Sequence, residues 1–556
     1  MMTFARGDAG LRASGAAQET VGVHRRGIVP PASGDRMHRE FEFRRTRCWR
    51  PLAVVVAALS VAACGGGGGG GGGDDAGDSG LTLWQQRTAQ SDKLAAVCAA
   101  PRSGNDPYSG EAYPDRQGAI GDEQRWLKTY MNEVYLWYRE IPGVNAAPYT
   151  AANYGSVPAA LGAYFDALLT PAKTASGKYK DQFSFTYPTA LWQALSQSGV
   201  SIGYGAQFAV LKSAPPRDVR VAYSDPGTPA AAANVARGAV ILAIDGVGID
   251  DNTQAGIDVL NAGLGPDSAG ETHVFTLRDL GAASARDVSL TAAAVTSTPV
   301  QNVETLDTPT GRVGYLQFND HIATAEGQLR TALTQLQAAN ISDLVLDIRY
   351  NGGGYLDIAS ELAYMIAGGA RTQGKTFERL RFNDKNPLAQ SPDVATPFHA
   401  ATLGFDPSVA EGTALPQLGL SRVYVLTGPG TCSASEAVIN GLRGVDVEVV
   451  QIGDTSCGKP YGFFAQDNCG LSYFAIEFSG VNARGAGDYA DGFTPTCAVD
   501  DDFGHALGDS GEALFAAALA YRDGGGCPAG IKRAGGEPLR LLRSPLRENG
   551  YRRRPG

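Results

Sequence analysis

The sequence of 556 residues lacks an excess of basic residues, long apolar runs and metal-binding cysteine pairs. Its 47 Lys and Arg are outnumbered by 57 Asp and Glu, which gives a formal net charge of −10. A nucleic-acid-binding face needs the opposite balance, so this class of partner is excluded. No apolar run is long enough for an ordinary transmembrane helix. No C-x-x-C pair occurs either, and we predict neither a metal site nor a cofactor.

Histidine is scarce as well, with six in the whole chain, which argues against a Ser-His-Asp hydrolase. Such an enzyme needs a His held beside its Ser. Beyond residue 80 the candidates are His273, His321, His399 and His505, and none of them lies in a catalytic motif. A hydrolase encoded here therefore needs another general base.

The N-terminal segment has the pattern of an export signal. Several arginines precede the short apolar segment Leu52–Ala63, which is too short to span a bilayer. It ends in Val-Ala-Ala-Cys64, which resembles a bacterial lipobox. The resemblance implies that residues 1–63 are removed as leader and signal peptide and that Cys64 carries lipid. Residues 64–80, rich in Gly, then form a flexible tether. We expect an envelope protein, anchored in the outer membrane and facing the periplasm; a plain secretory signal is the alternative.

Six cysteines remain beyond Cys64, an even number that predicts up to three disulfides in an oxidising compartment. They are Cys98, Cys432, Cys457, Cys469, Cys497 and Cys527. Six cysteines allow fifteen pairings, so the pattern alone does not assign them. A bridge between Cys457 and Cys469, across an apparent hairpin, is the best local candidate.

The body of the chain divides into four segments by composition and periodicity. Residues 81–197 are predicted to be helical, with an aromatic stripe over Asp122–Glu140 that predicts a core-facing helix. Residues 198–296 are β-rich, and residues 297–527 alternate strands with helices. Residues 528–556 are Arg-rich without periodicity and are predicted to be a disordered tail. The fold class predicted is multidomain α/β.

The β-rich segment contains SDPGTPAAAANVARGAVILAIDGVGI, which resembles the helix and the strand ending in Asp-Gly of a PDZ domain. The resemblance places Gly203, Tyr204, Gly205 and Phe208 at a loop and strand that bind a peptide, with a substrate C-terminus as ligand. In such a site the peptide adds a strand to the sheet. Ala239 stands where that family usually has an acidic residue. A small β-domain with only a packing role is the alternative.

Three polar segments each follow a predicted strand in residues 297–527. They are Asp347–Gly354 with three glycines, Gly428–Glu436 with small hydroxyl residues, and Gly453–Pro460 with one lysine. Open α/β sheets bind ligands at the carboxyl ends of their strands. The sequence therefore predicts that these segments form one site.

Two residues in these segments could carry nucleophilic chemistry. Ser433 is predicted at a helix N-terminus, where the dipole favours a developing alkoxide, although Glu436 three residues later also makes a capping box. Lys459 follows a buried strand. A buried Lys loses its proton easily and can act as general base for a Ser, although an isolated turn Lys is more often exposed.

In order and spacing the three segments resemble the C-terminal processing peptidases, also called tail-specific serine proteases. LVLDIRYNGGG, GTCSASEAVINGL and GDTSCGKP are similar to that family's Gly-rich loop, nucleophile segment and Lys segment. The resemblance implies a crotonase/ClpP-like α/β catalytic core. It implies Ser433 as nucleophile, Lys459 as general base, and the N–H groups of Gly354 and Ala434 as the oxyanion hole.

The chain departs from the family pattern directly after the lysine. Many members have Gly after the Lys and Gln four residues beyond it, where this sequence has Pro460 and Phe463. Gln466 is a candidate substitute for that Gln. Cys432 and Cys457 each lie next to a predicted catalytic residue, where they could form a bridge that braces the site or be buried cysteines.

Three other functions compete with an exported serine endopeptidase that acts on proteins or peptides. The first is a penicillin-binding protein, because Ser456 and Lys459 match its S-x-x-K signature. That motif requires a helix, which Gly458 and Pro460 disfavour. A catalytically silent, peptide-binding lipoprotein scaffold would keep the fold without the reaction. A crotonase-like acyl-CoA enzyme would share the Gly-rich loops, but export speaks against its substrate.

Overall fold

The computed structural model describes residues 90–174, 176–390, 394–527 and 539–542. The predicted leader, the tether and Cys64 lie outside the described residues. None of the helices in the described ranges is both long enough and apolar enough to cross a bilayer.

The first part of the described chain combines helices with short strands. Its elements are the 3-10 helix Ser91–Lys93, β1 Val97–Cys98, β2 Arg116–Gln117, α1 Ile120–Val134, the 3-10 helix Tyr138–Glu140, α2 Ala151–Tyr154, α3 Val157–Leu168, β3 Phe185–Pro188 and α4 Thr189–Ser198. The apolar stripe of α1 is buried, including Trp126 and Tyr130. Helix α1 ends at Val134, short of the predicted Glu140, because the Leu136 N–H donates to the Ile476 carbonyl and draws the chain away.

The β-rich middle segment builds a main sheet, with a helix packed against it, and a separate two-stranded sheet formed by its first and last strands. Its elements are β4 Val200–Gly203, β5 Ala206–Lys212, β6 Asp218–Ser224, α5 Pro229–Ala232, β7 Val240–Ile244, β8 Val247–Gly248, α6 Gln254–Leu264, β9 Thr272–Arg278, β10 Arg286–Thr291 and β11 Ala293–Thr296. The sheet runs in the order β10-β9-β7-β6-β5, all neighbours antiparallel. One apolar core joins β5, β6, β7 and β9 to α6.

The remaining elements alternate as the sequence predicts. They are β12 Val300–Thr308, β13 Gly311–Phe318, α7 Ala325–Ala338, β14 Asp343–Asp347, α8 Leu356–Ala367, α9 Gly369–Thr372, β15 Thr376–Phe382, the 3-10 helix Pro387–Gln390, β16 Ala395–Pro397, β17 Arg422–Thr427, α10 Ala434–Gly444, β18 Glu448–Gly453, β19 Tyr461–Gly462, β20 Gln466–Asn468, β21 Leu471–Phe474, β22 Phe478–Val481, β23 Cys497–Ala498 and α11 Ala513–Arg522.

The central sheet of this part has the order β12-β13-β14-β17-β18-β23, and its strands from β13 to β23 are parallel. Helices α7, α8 and α10 cover one face and α11 covers the other. Near-continuous apolar strands such as β14 are typical of a sheet that is buried on both faces. The predicted mixed α/β architecture is confirmed.

Among the described residues there are three disulfides, with sequence separations of 371, 25 and 30 residues. They are Cys98–Cys469, Cys432–Cys457 and Cys497–Cys527. The predicted bridge between Cys457 and Cys469 is therefore wrong. Cys469 lies at the turn between β20 and β21, beside the first part of the chain, whereas Cys457 lies against the loop that contains Cys432.

Part of the predicted disordered tail is a strand. Arg540–Leu542 form β24, which pairs antiparallel with β5 and extends the sheet of the middle segment. The prediction of disorder is wrong for these residues, because their backbone completes the open edge of β5 and Leu541 is buried there. The rest of 528–556 lies outside the described residues.

Candidate active site

The three polar segments converge at one edge of the central sheet. Strands β14, β17 and β18 are adjacent and parallel, so the segments after Asp347, Thr427 and Gly453 leave from the same side. This is the edge where open α/β sheets place their ligands. The predicted convergence is therefore present.

Ser433 occupies a strained turn between β17 and α10. Its φ is +55°, in the left-handed region that residues other than glycine rarely adopt, at a typical cost of about 1–3 kcal/mol. As the residue before α10 it lies at the positive end of the helix dipole. Ser435 is different: it is fully buried, and its hydroxyl donates to the Asn351 carbonyl. Of these two serines, Ser433 is therefore the one at the predicted position of the nucleophile.

The glycine loop, which is the segment after β14 that ends at Gly354, lies directly against this turn. A Cβ placed on Gly353 would be 2.8 Å from Cβ of Ser433 and 2.9 Å from the Ala434 nitrogen, so only glycine permits the approach. The Gly353 N–H donates to Asn351 Oδ1. His321 pairs with the loop through the Gly353 carbonyl and the Tyr355 N–H.

The N–H groups predicted for the oxyanion hole lie on this loop and on the nucleophile turn. Because successive N–H groups of an extended chain alternate, the N–H of Gly354 points away from His321. Ala434 is the first residue of α10, and the first N–H groups of a helix have no partner within it. Both predicted donors are thus unused by the local backbone pairing.

Lys459 is buried in an aromatic environment. Its ammonium nitrogen lies 4.3 Å from the ring centre of Phe463 and 5.4 Å from that of Phe183. Burial lowers the pKa of Lys459 to about 8, against the charges of Asp181 and Glu436, which raise it. At such a pKa about a tenth of the lysine is neutral at pH 7 and about half at pH 8, and the neutral form is the one that a general base requires. Phe463, which replaces the family's Gln, is a wall of this pocket.

One carboxylate joins the turn before α10 that contains Ser433, here called the nucleophile turn, to the segment after β18 that contains Lys459, here called the lysine loop. Glu436 is completely buried and accepts hydrogen bonds from the N–H of Ser433 at 3.1 Å, of Gly458 at 2.9 Å and of Lys459 at 2.8 Å. It also accepts the Ser456 hydroxyl at 2.6 Å. Ser433 and Lys459 donate to the same oxygen, so their backbones lie close together. Burial raises the pKa of Glu436, while its four donors oppose the rise.

A disulfide joins the same two loops next to the predicted catalytic residues. Cys432 precedes Ser433, and Cys457 lies two residues before Lys459. Of the two possibilities that the sequence left open, the bracing bridge is the one present. Cys432, Cys457 and Glu436 also form the cluster whose ligand atoms lie close enough for a metal ion. Their sulfur atoms are bonded to each other, so the thiolates that would bind a metal are absent.

Two charged residues near the site carry no sequence signal. Asp181 comes from the first part of the chain, is buried, and accepts the Tyr135 hydroxyl at 2.7 Å and the N–H groups of Phe183 and Ser184. It thus lies beside the ring that contacts the Lys459 ammonium. Neither its neighbours in sequence nor its spacing from Lys459 marks it, and only the fold brings the two together.

Arg237 connects the middle segment to the glycine loop. It donates to the hydroxyl of Tyr350 and to Asp501, and Tyr350 also bonds Asp501. Arg349, fully buried, pairs with Asp347, Asp501 and Glu512. The start of the glycine loop is therefore held by charges from three parts of the chain.

The residues predicted to bind peptide lie in the middle segment. Gly203 ends β4 and Gly205 precedes β5, where its carbonyl accepts the Asp225 N–H. The Tyr204 hydroxyl donates to the Gly263 carbonyl, and Phe208 stacks on Phe275. Both side chains are buried in the core. Any contact of these residues with a peptide therefore involves their backbone.

One serine motif that would indicate another hydrolase class is structural. Gly199–Gly203 reads G-x-S-x-G, but its serine lies on β4, paired with Val295 of β11. A nucleophile elbow instead requires a turn from a strand into a helix. Ser201 is therefore part of a sheet and not of an elbow.

Comparison with known proteins agrees with this geometry. Residues 312–465, which include all three segments, match the model of peptidase family S41. A carboxyl-terminal-processing protease of Picosynechococcus sp. is 33% identical over 171 residues, 30% of this chain and 39% of that protein. A chloroplastic C-terminal processing peptidase of Tetradesmus obliquus is 28% identical over 159 residues, 27% of this chain and 34% of that protein. The chain thus spans between a third and two fifths of the length of these relatives.

A solved structure extends the likeness beyond the central segment. The crystal structure of a Bacteroides fragilis protein assigned to the S41 proteases has 25% sequence identity and a TM-score of 0.54. The match covers 74% of this chain and 98% of that protein. The resemblance predicted from the sequence is confirmed: residues 312–465 of this chain match the model of peptidase family S41.

Proposed function

We propose that this protein is a serine endopeptidase of the C-terminal processing type, with Ser433 as nucleophile and Lys459 as general base. The observation that carries the proposal is the shared carboxylate of Glu436, which accepts the N–H groups of both residues. A nucleophile and its base must be held in mutual reach, and a carboxylate shared by the two backbones supports such an arrangement.

In this mechanism the Ser433 hydroxyl attacks the scissile carbonyl while neutral Lys459 takes its proton. The N–H groups of Gly354 and Ala434 bind the oxyanion, and Lys459 returns the proton to the leaving amine. Water then attacks the acyl-enzyme while Lys459 accepts a proton from it. The bond between the acyl carbon and the Ser433 oxygen breaks, Lys459 returns the proton to that oxygen, and the carboxylic acid product leaves. The steep turn at Ser433 supports this role because it places the hydroxyl at the start of α10, beside the glycine loop.

The working form of the base is neutral, which fixes the direction of the pH dependence. Burial lowers the pKa of Lys459 to about 8, so the rate rises through that pH as the lysine loses its proton. A profile that stays flat down to acid pH would exclude Lys459 as the base.

The proposal includes peptide binding by the middle segment and attachment to the cell envelope. A sheet of antiparallel strands whose apolar core is shared with α6 supports a PDZ-like peptide-binding domain that takes substrate tails. Cys64 is the proposed lipid attachment residue, which would hold the protein at the outer membrane in the periplasm. The three disulfides fit an oxidising compartment.

The test is cleavage of an unfolded protein by the full chain and by two matched serine variants. Ser433→Ala should abolish cleavage, whereas Ser435→Ala should retain it, because the Ser435 hydroxyl donates to the Asn351 carbonyl in the interior. Equal loss of cleavage in both variants would mean either that Ser433 is not the nucleophile or that the fold is damaged. A cooperative thermal transition in both variants would exclude a damaged fold.

The same experiment separates the enzyme from a silent scaffold. Phe463, which lies where the family has an assisting Gln, is the observation that keeps the scaffold as second candidate. Absence of cleavage by the parent chain, together with retained peptide binding, would favour the scaffold. Cleavage by the parent and by Ser435→Ala alone would exclude it.

A further inference from the structure

The edge of β5 in the middle segment is covered by a strand from the opposite end of the chain. Arg540, Leu541 and Leu542 pair with Val210, Ala209 and Phe208 in antiparallel register. Within the described residues the other edge of β5 pairs with β6. β24 therefore occupies the edge at which a further strand can be added.

The pairing is supported by a side-chain contact and by burial on both faces. The Gln207 amide donates to the Leu542 carbonyl at 2.7 Å. Leu542 packs against the core formed by β5, β7 and α6. Leu541, 8% exposed, packs on the opposite side against a cluster that includes Tyr350 and Phe503. Alternate side chains thus enter two apolar environments, while Arg540 is exposed.

This geometry is that of a peptide bound by strand addition. In that mode the main chain supplies hydrogen bonds, and alternate side chains enter pockets. The antiparallel direction carries the segment towards Gly203–Gly205, the loop that the PDZ resemblance places at the C-terminus of a bound peptide. Short strands at an open edge add few contacts of their own, so such an occupant can be exchanged.

We infer that the edge of β5 is a binding site for extended apolar peptides and that residues 539–542 of this chain are its resident occupant. A foreign protein tail with leucine-like residues then binds by displacing the chain's own segment. The inference rests on the proposed peptide-binding role of the middle segment, but it does not require the reaction at Ser433.

The resident segment also contacts the start of the glycine loop. Leu541 and Tyr350 share one apolar cluster with Tyr223 of β6. Tyr350 in turn bonds Asp501 and Arg237, which hold the glycine loop. Displacement of the segment therefore changes the packing of a residue three positions before Gly353, and the occupancy of the edge and the active site are physically connected.

The test measures binding of a fluorescent peptide with the sequence of Glu537–Ser544 by fluorescence anisotropy. Two chains are compared, the full chain and a chain that ends at Pro538, both with Ser433→Ala so that no peptide is cleaved. A tethered occupant competes at a high effective concentration, so the shortened chain should bind about tenfold more tightly. Equal affinity, or no binding by either chain, overturns the inference.

Two substituted peptides test which side chains of the segment contribute to binding. A peptide with Leu542→Asp should lose binding because that side chain enters the core of the middle segment. A peptide with Arg540→Ala should bind as the parent does, since that side chain is exposed. Equal binding of both peptides would indicate nonspecific adsorption and contradict the inference.

A second measurement covers the case in which the shortened chain folds poorly. The full-length Leu542→Asp chain keeps its length but should release the segment, and hydrogen exchange of the Phe208–Val210 amides should accelerate while the central sheet stays protected. Unchanged exchange would show that the segment does not protect this edge. If both the shortened chain and the Leu542→Asp chain lost cooperative unfolding, residues 539–542 would be a strand that the fold requires. Such a strand could not be exchanged for a foreign peptide, and the inference would be overturned.

Discussion

The nucleophile turn and the lysine loop prepare their residues by different physical means. Ser433 is positioned by backbone conformation, with a positive φ at the start of α10 and a glycine loop in direct contact. Lys459 is prepared by its surroundings, which are two aromatic rings, full burial and few charges. The serine thus depends on a local turn, and the lysine depends on parts of the chain that are distant in sequence.

This difference indicates which property of each residue a nearby substitution should change. A change beside Ser433 acts on geometry, whereas a change around Lys459 acts on its proton affinity. Glu436 and the Cys432–Cys457 bridge belong to both loops, so substitutions there should affect both properties.

The largest effect should come from Lys459→Met, which removes the proposed base while filling the same pocket. We expect a loss of at least about 10³-fold in kcat/KM, in the upper part of the range for general-base removal. The variant should also unfold at a higher temperature. The pKa of a Lys is 10.5 in the unfolded chain and about 8 here, so its ammonium form costs stability at neutral pH.

The stability gain of Lys459→Met should vanish as the pH rises. The unfolded chain binds the extra proton between pH 8 and 10.5, so the parent gains stability across that window and the variant does not. Thermal unfolding at pH 7 and at pH 10 checks the sign. An inactive variant whose stability is unchanged at both values would mean that the lysine is not buried in solution.

The next largest effect should follow Glu436→Gln, which breaks the link between the two loops. An amide cannot accept from all four donors, and each buried donor left without a partner costs about 1–3 kcal/mol. We expect lower stability and about 10²-fold lower kcat, the scale of a small displacement of reacting groups. Urea unfolding and steady-state kinetics measure the two quantities.

Glu326→Gln is the matched control for that variant. Glu326 is a fully buried carboxylate that accepts three backbone N–H groups, from Leu403, Gly404 and Asp406, none of which belongs to the nucleophile turn or the lysine loop. It should lose stability but keep its activity per folded molecule. If both variants lose activity equally, Glu436 acts through general stability alone.

A smaller effect is expected when the bridge between the loops is removed. Cys432→Ser with Cys457→Ser should lower kcat/KM by about tenfold, because Glu436 still joins the loops. The control is Cys497→Ser with Cys527→Ser, since the sequence separations of 25 and 30 residues are similar. Both pairs should lose about 3 kcal/mol of stability, and only the first should lose activity. Equal activity loss would assign the bridge a purely structural role.

The smallest effect should be a shift in pH profile from Asp181→Asn. The charge of Asp181 raises the pKa of Lys459, and so does that of Glu436, while Tyr461 faces the same acidic group. Removal of the Asp181 charge lowers the lysine pKa and moves the acid limb of kcat/KM to lower pH. Tyr135→Phe removes a hydrogen bond to Asp181 but keeps the charge, so its profile should not move. If the pH profiles of both variants shifted, Asp181 would act on Lys459 through packing and not through its charge.

The sequence is sufficient to predict the strands and helices that carry the site. Strands β14, β17 and β18 and the helices after the first two agree with their apolar runs, because a buried parallel sheet is apolar along its whole length. The three loops could be assembled because parallel strands end at one edge. Neither Asp181 nor Arg237 could be found, since both reach the site from segments with no local pattern toward it.

The cysteine pairing and the tail show the same limitation. The bridge expected across a local hairpin was wrong because sequence proximity does not measure which loops lie against each other. The strand at Arg540–Leu542 was missed because three residues are too few for periodicity, and their partner is more than half the chain away.

The Cys98–Cys469 bridge has a consequence for how this molecule withstands proteolysis. It spans 371 residues, including Ser433 and Lys459. A cut at any peptide bond between the two cysteines opens the chain but releases no fragment. A self-cleaved or nicked molecule would therefore migrate as one species on a non-reducing gel and separate into two only after reduction. Damage to any loop in that interval would leave both halves of the site in one particle.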